Sequence, residues 1–313
     1  MGRRTPLISA ARRAGDRGPW AARRLKVSRH NANQWALEGM TIDADRRLLE
    51  ALLPLVLAAG RIEMSYFNAG VEVETKADAT PVTIADHEAE VVLVEGLNKV
   101  APGVPVIAEE SVAAGRVPET GGEFFLVDPL DGTRAFIASK SDFTINIALV
   151  KGNRPVFGII YAPALGKFFA TLSPQEAVEA DIAPDAEGER LTDYTFSPLH
   201  TRDPDPNALV AFASRSHAAK STDEFLKRLP IAETRKASSS LKFCLISRGE
   251  ADLYARLGET SEWDTAAGQA ILTAAGGSVT TLDGTPLVYG KREKRFVNPH
   301  FVAWARGPLL SAK

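Results

Sequence analysis

The sequence of 313 residues contains one cysteine, Cys244, and no long apolar run. A single thiol cannot form a disulfide within one chain, which excludes a disulfide-stabilised fold and fits a reducing compartment. The longest apolar candidate, residues 48–60, is interrupted by Glu50 and Pro54 and is shorter than the roughly 18 residues that a membrane-spanning helix needs. We therefore predict no transmembrane helix and a cytoplasmic location, and we leave open a peripheral association with the inner membrane.

The chain also lacks a large excess of charge of one sign. Its formal net charge is −2, and charged residues make up 24% of the sequence. This balance argues against a nucleic-acid-binding protein. Hydrophobic residues make up 45%, which is enough for the core of one large domain or two medium-sized ones.

The first 39 residues differ from the rest because they contain nine Lys and Arg residues but only two acidic ones, Asp16 and Glu38. They lack the apolar stretch of a secretory signal, although an Arg-rich, acid-poor start can be a targeting peptide or an RNA-contacting arm. We favour a disordered basic extension over residues 1–39, or upstream sequence translated from an early start codon with Met40 as the true beginning.

Helical patterns follow this extension. A helix is expected from Thr41, capped by Thr41 or Asp43 and kinked at Pro54, and a second helix is expected over residues 85–100. A hairpin is predicted at the turn 151–153. The predicted strands of this half cover residues 104–107, 124–127, 144–150, 156–161 and 168–171.

Residues 173–207 are acidic and rich in Pro and Ala, so we expect an irregular connection between two halves of the molecule. Strands and helices alternate after it, which predicts an α/β fold. The predicted elements are strands 209–213, 252–254 and 278–282 and helices 222–229, 238–248 and 265–275. We predict an α+β metal-binding subdomain over residues 40–185 and a smaller α/β subdomain over 186–313 that completes the site.

The sharpest feature of the sequence is Asp-Pro-Leu-Asp-Gly-Thr at residues 128–133, directly after the predicted strand 124–127. Pro129 and Gly132 favour a tight turn in which the two carboxylates converge. Mg²⁺ prefers oxygen ligands, and the carbonyl of Leu130 could complete such a set. Taken alone, the same pattern is also typical of an Asp-rich turn without a metal.

Three further acidic positions stand at the ends of predicted elements. Glu109, next to Glu110, follows a strand, although such a pair is also typical of an exposed acidic loop. Asp264 precedes a helix that it could cap, and Asp86 begins the second helix, where it could cap the helix or hold a water.

Four of these groups together predict more than each one alone. Glu109, Asp128, Asp131 and Asp264 would repel one another strongly without a cation. Two or more Mg²⁺ ions would relieve this repulsion, activate a water and stabilise the leaving oxygen of an in-line displacement. The sequence therefore predicts a metal-dependent phosphatase.

Three of these motifs resemble those of the lithium-sensitive inositol monophosphatase-like phosphatases. They are the acid pair 109–110, the run 128–133 and Trp-Asp-Thr-Ala-Ala-Gly at 263–268. The resemblance covers about residues 42–305 and leaves out the basic extension. It implies a layered α-β-α-β-α fold and a phosphomonoesterase that uses two or three Mg²⁺ ions.

The resemblance also implies roles for individual residues. Glu109, Asp128 and the carbonyl of Leu130 would hold one Mg²⁺, and Asp128, Asp131 and Asp264 a second. Asp86 and Thr133 would orient the attacking water, with Thr133 passing its proton toward Asp86. The amides of Gly132 and Thr133 would contact the phosphate, and Glu109 and Asp264 would face the substrate. If the substrate is a nucleotide with a second phosphate, the candidates for contacts to the nucleotide and to that phosphate are His217, Ser239, Lys242 and Arg256.

Other stretches resemble the branch of this family that hydrolyses nucleoside 3′,5′-bisphosphates, namely residues 143–149, 161–163, 214–217, 238–244 and 249–254. This branch implies adenosine 3′,5′-bisphosphate as the substrate, AMP and phosphate as the products, and a place in sulfur assimilation and nucleotide recycling. Arg134 and Ala135 stand where that branch often has Lys and Glu, which leaves the substrate preference open.

Two other functions stay open at this point. A phosphatase of the same family that acts on inositol monophosphate, a sugar phosphate or histidinol phosphate would not need Lys242 or Arg256. A non-catalytic metal- or nucleotide-binding regulator, or an RNA-associated protein, would not need a water-activating pair. Lys242 has an alternative as an ordinary solvated lysine and His217 as a surface loop residue, whereas Cys244 is expected in the core. The sequence does not predict the oligomeric state.

Overall fold

The computed structural model describes residues 43–70, 73–76, 81–214 and 220–308. The predicted extension 1–39, Thr41 and His217 lie outside the described residues. None of the helices within the described ranges is long and apolar enough to cross a membrane.

Helices and strands alternate along most of the chain. The helices are α1 Arg46–Ala69, α2 Ile84–Val100, α3 Glu109–Ala113, α4 Thr133–Ile137, α5 Lys220–Leu226, α6 Leu241–Ser247 and α7 Ala266–Ala274. The strands are β1 Val73–Thr75, β2 Pro81–Thr83, β3 Val106–Ala108, β4 Glu123–Asp131, β5 Thr144–Lys151, β6 Arg154–Ala162, β7 Lys167–Ser173, β8 Glu176–Asp181, β9 Ser197–Pro198, β10 Leu209–Ser214, β11 Ile231–Ala237, β12 Leu253–Arg256, β13 Ser278–Thr281 and β14 Phe301–Trp304.

A seven-stranded sheet contains β3 to β9 in the order of the sequence. Only the pair β3–β4 is parallel, and the other neighbours in this sheet are antiparallel. The predicted hairpin is confirmed, because Lys151 pairs with Arg154 across the two-residue turn of Gly152 and Asn153. Both turn residues have positive φ, at 56° and 83°, which is the backbone twist that a two-residue hairpin prefers.

A five-stranded sheet is built from the second half of the chain, in the order β11-β10-β12-β14-β13. Strand β10 is parallel to both of its neighbours, β11 and β12, whereas β14 is antiparallel to β12 and β13. Strands β11 and β14 of this sheet were not predicted from the sequence. Strand β11 alternates little and is largely exposed, so it lacks the apolar pattern that predicts a buried strand.

The two sheets and the helices form alternating layers, which confirms the predicted layered α/β fold. The side chains of β4 alternate, so that Phe125 and Val127 pack with α1 and α2 whereas Phe124 and Leu126 face α6 and α7. The other side of α6 and α7 packs on the five-stranded sheet, and α5 covers that sheet from outside through Phe225. Because period-2 alternation sends successive side chains to opposite faces, one strand supplies two cores.

Two predictions about local structure were wrong. Helix α1 is capped by Asp45, whose side chain accepts hydrogen bonds from the amides of Arg47 and Leu48, and Asp43 instead pairs with Arg47 at 2.9 Å. The helix continues through Pro54. Residues 173–207 are not an irregular connection throughout, because they contain β8 and β9, which extend the seven-stranded sheet. Cys244 is fully buried, as predicted.

Candidate active site

A cavity of about 240 Å³ lies where the end of β4 meets residues of the second half of the chain. Its lining contains Glu109, Asp128, Asp131 and Asp264 on the acidic side and Lys242 and Arg256 on the basic side. These residues are far apart in the sequence, and the packing of the two sheets brings them to one place.

Three carboxylates form the acidic cluster. Glu109 is the first residue of α3, Asp128 lies within β4, and Asp264 stands just before α7. One carboxylate oxygen from each residue lies within 4.8 Å of the others. This spacing allows the three oxygens to share one coordination sphere.

The motif at 128–133 is not the tight turn that the sequence analysis predicted. Strand β4 continues to Asp131, and its pairing with β5 is interrupted by a bulge between Asp128, which pairs with Asn146, and Asp131, which pairs with Thr144. Two residues of β4 therefore have no partner in the register. A bulge bends the strand and redirects its side chains, and this local bend replaces the expected turn.

Gly132 then ends the strand with φ of 101°. A Cβ atom at this position would lie 2.5 Å from the Ser239 hydroxyl oxygen, so both the backbone conformation and the space require glycine. The Ser239 hydroxyl donates to the carbonyl oxygens of Asp131 at 3.0 Å and Asp142 at 3.2 Å. In this structure Ser239 therefore holds the backbone of the motif.

Asp131 is oriented by residues that the sequence analysis did not single out for that purpose. Its Oδ2 accepts hydrogen bonds from the Ser240 amide at 2.7 Å and from Asn146 Nδ2 at 3.4 Å. The Ser240 hydroxyl donates to Asn146 Oδ1 at 2.7 Å. Ser240 is the N-cap residue of α6, but its hydroxyl makes no cap hydrogen bond and serves this network instead.

Asp264 does not cap helix α7, although its place before the helix made it a candidate N-cap. The N-cap of α7 is Thr265, and it makes no side-chain cap bond. Asp264 Oδ2 accepts a hydrogen bond from the Ser261 amide at 2.8 Å. Its carboxylate is thus attached to a short turn before the helix and lines the cavity.

Electrostatics in the acidic cluster favour a bound cation. Burial raises the pKa of Asp128 well above its usual value, and the negative charges of Glu109, Asp131 and Asp264 add to this shift. Burial and the charges of Asp131 and Glu109 likewise raise the pKa of Asp264. A hard divalent cation would offset this repulsion, and the donor set consists of oxygen atoms as Mg²⁺ requires. The residues present therefore fit a Mg²⁺ site.

Lys76 supplies a positive charge beside this cluster and was not assigned a role from the sequence. Its ammonium group lies 2.6 Å from a carboxylate oxygen of both Glu109 and Glu110. Burial lowers the pKa of Lys76, but the two carboxylates outweigh burial and the net shift is upward. Burial, and to a lesser extent the negative charge of Glu109, raises the pKa of Glu110 to about 7.

The first turn of α3, which carries Glu109, is fixed by Glu90 of α2. The two Glu90 carboxylate oxygens accept hydrogen bonds from the Glu110 amide at 2.7 Å and from the Ser111 hydroxyl at 2.6 Å. The N-cap residue Ala108 offers no side-chain bond, so Glu90 satisfies this helix start from a neighbouring helix. No local sequence signal predicts such a contact across 20 residues.

Asp86 and Thr133 contact each other directly. The Thr133 hydroxyl lies 3.1 Å from Asp86 Oδ1 and 3.2 Å from the Leu130 carbonyl oxygen. Asp86 Oδ2 accepts from the amide of Thr83 at 2.8 Å and from its hydroxyl at 2.6 Å. The N-cap of α2 is therefore Thr83, and Asp86 is the third helical residue of a capping box.

The capping box leaves one oxygen of Asp86 for Thr133. Burial is the largest influence on the Asp86 carboxyl and raises its pKa, while the hydrogen bonds from Thr83 oppose the shift. The structure thus places a carboxylate, a hydroxyl and the acidic cluster side by side.

On the basic side of the cavity, Lys242 is only 3% exposed. Its Nζ donates to the Ser239 carbonyl oxygen at 2.7 Å and lies 4.8 Å from the centre of the Tyr254 ring. Burial lowers the pKa of Lys242 to about 8. The alternative of an ordinary solvated lysine is therefore wrong.

Arg256 lines the same side of the cavity. Its Nη2 donates to the Glu259 carbonyl oxygen at 2.9 Å. Its buried Nε finds no hydrogen-bond partner among the residues that the structure describes. A buried donor without a partner is costly, so this nitrogen is available for an anionic ligand.

Three comparisons with known proteins show which proteins this chain is similar to. The model of the inositol monophosphatase family matches residues 44–306. The 3′(2′),5′-bisphosphate nucleotidase CysQ of Escherichia coli (strain K12) is 38% identical over 256 residues, which cover 81% of this chain and 98% of the relative. The enzyme of the same name from Salmonella typhimurium is 40% identical over the same coverage. The crystal structure of CysQ from Bacteroides thetaiotaomicron, described as a bacterial member of the inositol monophosphatase family, superimposes with a TM-score of 0.67 at 32% identity, over 84% of this chain and 98% of that one.

Proposed function

Because this chain belongs to the inositol monophosphatase family, whose phosphatases depend on metal ions, we propose that it is a Mg²⁺-dependent phosphomonoesterase acting on adenosine 3′,5′-bisphosphate. The products are AMP and inorganic phosphate. The curated relatives named as bisphosphate nucleotidases support this substrate. The observation that carries the proposal is a single cavity that joins a carboxylate cluster to the buried Lys242 and the partly buried Arg256.

In this proposal Mg²⁺ is held by the acidic side of the cavity. Glu109, Asp128 and the Leu130 carbonyl provide one set of ligands, and Asp128, Asp131 and Asp264 provide another, for two or three ions in total. When bound, Mg²⁺ supplies the Lewis acidity that activates a water and stabilises negative charge on the phosphoryl and leaving oxygens. The bonds from Ser240 and Asn146 hold Asp131 in the orientation that such a site needs.

Thr133 and Asp86 orient the attacking water. The Thr133 hydroxyl accepts a proton from this water and donates its own proton toward Asp86 Oδ1, which lies 3.1 Å away. Thr83 keeps the Asp86 carboxylate in place through its amide and hydroxyl. A positioned acceptor of this kind contributes on the order of 10²–10⁴-fold to a rate. The amides of Gly132 and Thr133 contact the phosphate that is transferred.

Lys242 and Arg256 bind the phosphate that is not transferred. A substrate with two phosphates carries more negative charge than the metal ions alone compensate, and both cations face the cavity. The low exposure of Lys242 strengthens its interaction with an anion, since the charge is poorly screened by water. A phosphorylated polyol such as inositol monophosphate has no second phosphate for these groups. His217 stays a further prediction for this side of the site.

The experiment that tests the proposal compares phosphate release from adenosine 3′,5′-bisphosphate and from inositol 1-phosphate. Both reactions are run with Mg²⁺, with and without added Li⁺. We expect the nucleotide to be preferred and Li⁺ to inhibit the reaction. Equal or faster release from inositol 1-phosphate would contradict the proposed substrate.

The proposal places the enzyme in sulfur and nucleotide metabolism, with a small phosphorylated nucleotide rather than a nucleic acid as its partner. The cytoplasmic location stays a prediction, and no feature of the described residues supports a peripheral association with the membrane. The division into subdomains at residues 185 and 186 also stays a prediction.

A further inference from the structure

Glu262 is a buried carboxylate that the proposed reaction does not use. Its side chain is completely buried from solvent, and it stands two residues before Asp264 in the sequence. Its Oε2 accepts a hydrogen bond from the Gly290 amide at 2.7 Å, and its Oε1 accepts one from the Lys291 amide at 2.8 Å. Lys291 also places its ammonium group 2.7 Å from Oε1. The Glu262 carboxylate thus contacts three N–H donors of a loop that is distant in the sequence: two backbone amides and one ammonium group.

The loop that Glu262 contacts, residues 290–298, also makes hydrogen bonds to the first and last residues of the turn that contains Asp264. Asn298 Nδ2 donates to the Ser261 carbonyl oxygen at 2.7 Å and lies 3.0 Å from the Thr265 hydroxyl. Residues 261–265 are therefore attached to this loop at both ends. Asp264 lies between the two attachments, and its own carboxylate is bonded to the Ser261 amide.

The backbone of Glu262 transmits this attachment to helix α7. Its carbonyl oxygen accepts hydrogen bonds from the amides of Thr265 at 3.2 Å and Ala266 at 3.0 Å. Any shift of Glu262 would therefore move the turn and the start of the helix together, with Asp264 between them. The side chain of Asp264 points into the cavity, where a displacement of about 1 Å is large on the scale of metal coordination.

Stability alone is a weak explanation for such a group. Removing a charge from water is costly, and a buried ion pair often adds little net stability compared with apolar residues of similar volume. Asp252 provides a comparison, since it is also completely buried, accepts from the Val210 amide at 2.7 Å and pairs with Arg202 at 2.8 Å. Asp252 does not line the cavity, whereas Glu262 is joined to it through the Asp264 turn.

We infer that Glu262 is a positioning residue that holds the Asp264 carboxylate in the geometry needed for Mg²⁺ by fixing the turn 261–265 to the loop 290–298. The inference rests on the proposed metal site. It does not depend on which phosphate ester is the substrate.

The test measures Mg²⁺ binding without substrate, by isothermal titration calorimetry and by the rise of Tm with Mg²⁺ concentration. Glu262→Gln keeps the size of the side chain but removes its charge and one acceptor oxygen. Residues that orient metal ligands typically contribute about 10–100-fold to metal affinity, and we expect a loss of this size. Asp252→Asn is the matched control, and it should lower Tm while changing the Mg²⁺ affinity by no more than about twofold.

Wild-type Mg²⁺ affinity in a folded Glu262→Gln variant would overturn the inference, and so would an equal loss in Asp252→Asn. If Glu262→Gln does not fold, Lys291→Met replaces it, because this change removes the ion pair and keeps both amide bonds. We then expect a smaller loss of about threefold, and an unchanged affinity would overturn the inference. A wild-type protein that binds Mg²⁺ but does not hydrolyse the bisphosphate would contradict the proposed substrate only.

Discussion

Replacing Glu63 by glutamine should change how the stability of the fold depends on pH. Glu63 lies on α1, its side chain is completely buried, and neither carboxylate oxygen has a hydrogen-bond partner among the described residues. Burial, and to a lesser extent the negative charge of Asp86, raises the pKa of Glu63 well above its ordinary value of 4.5. The folded protein therefore keeps a proton on Glu63 at pH values where the unfolded chain has released it.

The sign of the effect follows from this difference in proton binding. Between pH 4.5 and the raised pKa of the folded state, the native protein binds more protons at Glu63 than the unfolded chain does. The free energy of unfolding then falls as pH rises, by about 1.4 kcal/mol per pH unit. Below pH 4.5 both states are protonated and this contribution to the slope disappears. Glutamine has a similar shape and no titration, so Glu63→Gln removes the slope.

The assay is urea unfolding of the wild type and of Glu63→Gln at about pH 5, 6 and 7, followed by circular dichroism. The variant should match the wild type to within about 0.5 kcal/mol near pH 4.5. It should become relatively more stable as the pH rises from there toward the raised pKa of Glu63, by up to about 1.4 kcal/mol per pH unit. The other raised carboxyl groups titrate in both proteins, so they largely cancel in the difference. A difference that stays constant with pH would refute the reasoning.

Three further predictions concern the site. Asp131→Asn should reduce turnover by more than about 10³-fold while the circular dichroism spectrum and Tm stay close to wild type, since the asparagine oxygen can still accept from the Ser240 amide; near-normal turnover would exclude a metal role for Asp131. Lys242→Met should raise KM for the bisphosphate by at least about tenfold, with a smaller change in kcat. In the wild type, kcat/KM should fall above a pH of about 8, because Lys242 loses its proton there. A pH profile of Lys242→Met that is identical to that of the wild type would contradict this role of Lys242. Mg²⁺ should raise Tm, because binding to the native state alone stabilises it, and a chelator should reverse the rise; a Tm that does not respond to Mg²⁺ would contradict the proposed cation site.

Several elements follow from local sequence patterns alone. The helix predicted over residues 85–100 is found as α2, one residue longer at its start, because Thr83 and the first-turn acid Asp86 form a capping box. The hairpin at Gly152 and Asn153 is present because both residues tolerate positive φ. These interactions join residues that are close in the sequence, so the pattern contains all the information that they need.

Other elements depend on their environment and were missed for that reason. Strand β11 is mostly polar, and it pairs with β10 as the outer strand of its sheet. Strand β8 buries three short apolar residues, Ala177, Val178 and Ala180, within an acidic stretch whose composition resembles that of a connection. Edge strands expose one side to water, so their composition approaches that of loops. The bulge that interrupts the pairing of β4 at the site likewise depends on its partner strand, and the residue pattern predicts a turn instead.

The sequence by itself indicated the chemical type of the site, since acidic residues at the ends of apolar strands and helices favour a cation where they meet. Which groups surround that cation was decided only by the tertiary structure. The Asp131 carboxylate is bonded to the Ser240 amide across a separation of 109 residues, and Lys242 becomes a buried cation only when the two sheets pack together. Lys76 and Glu262 act through partners that no spacing rule connects to them. Local patterns depend on the backbone periodicity of a few residues, whereas these contacts depend on how separate layers enclose one cavity and exclude water from it.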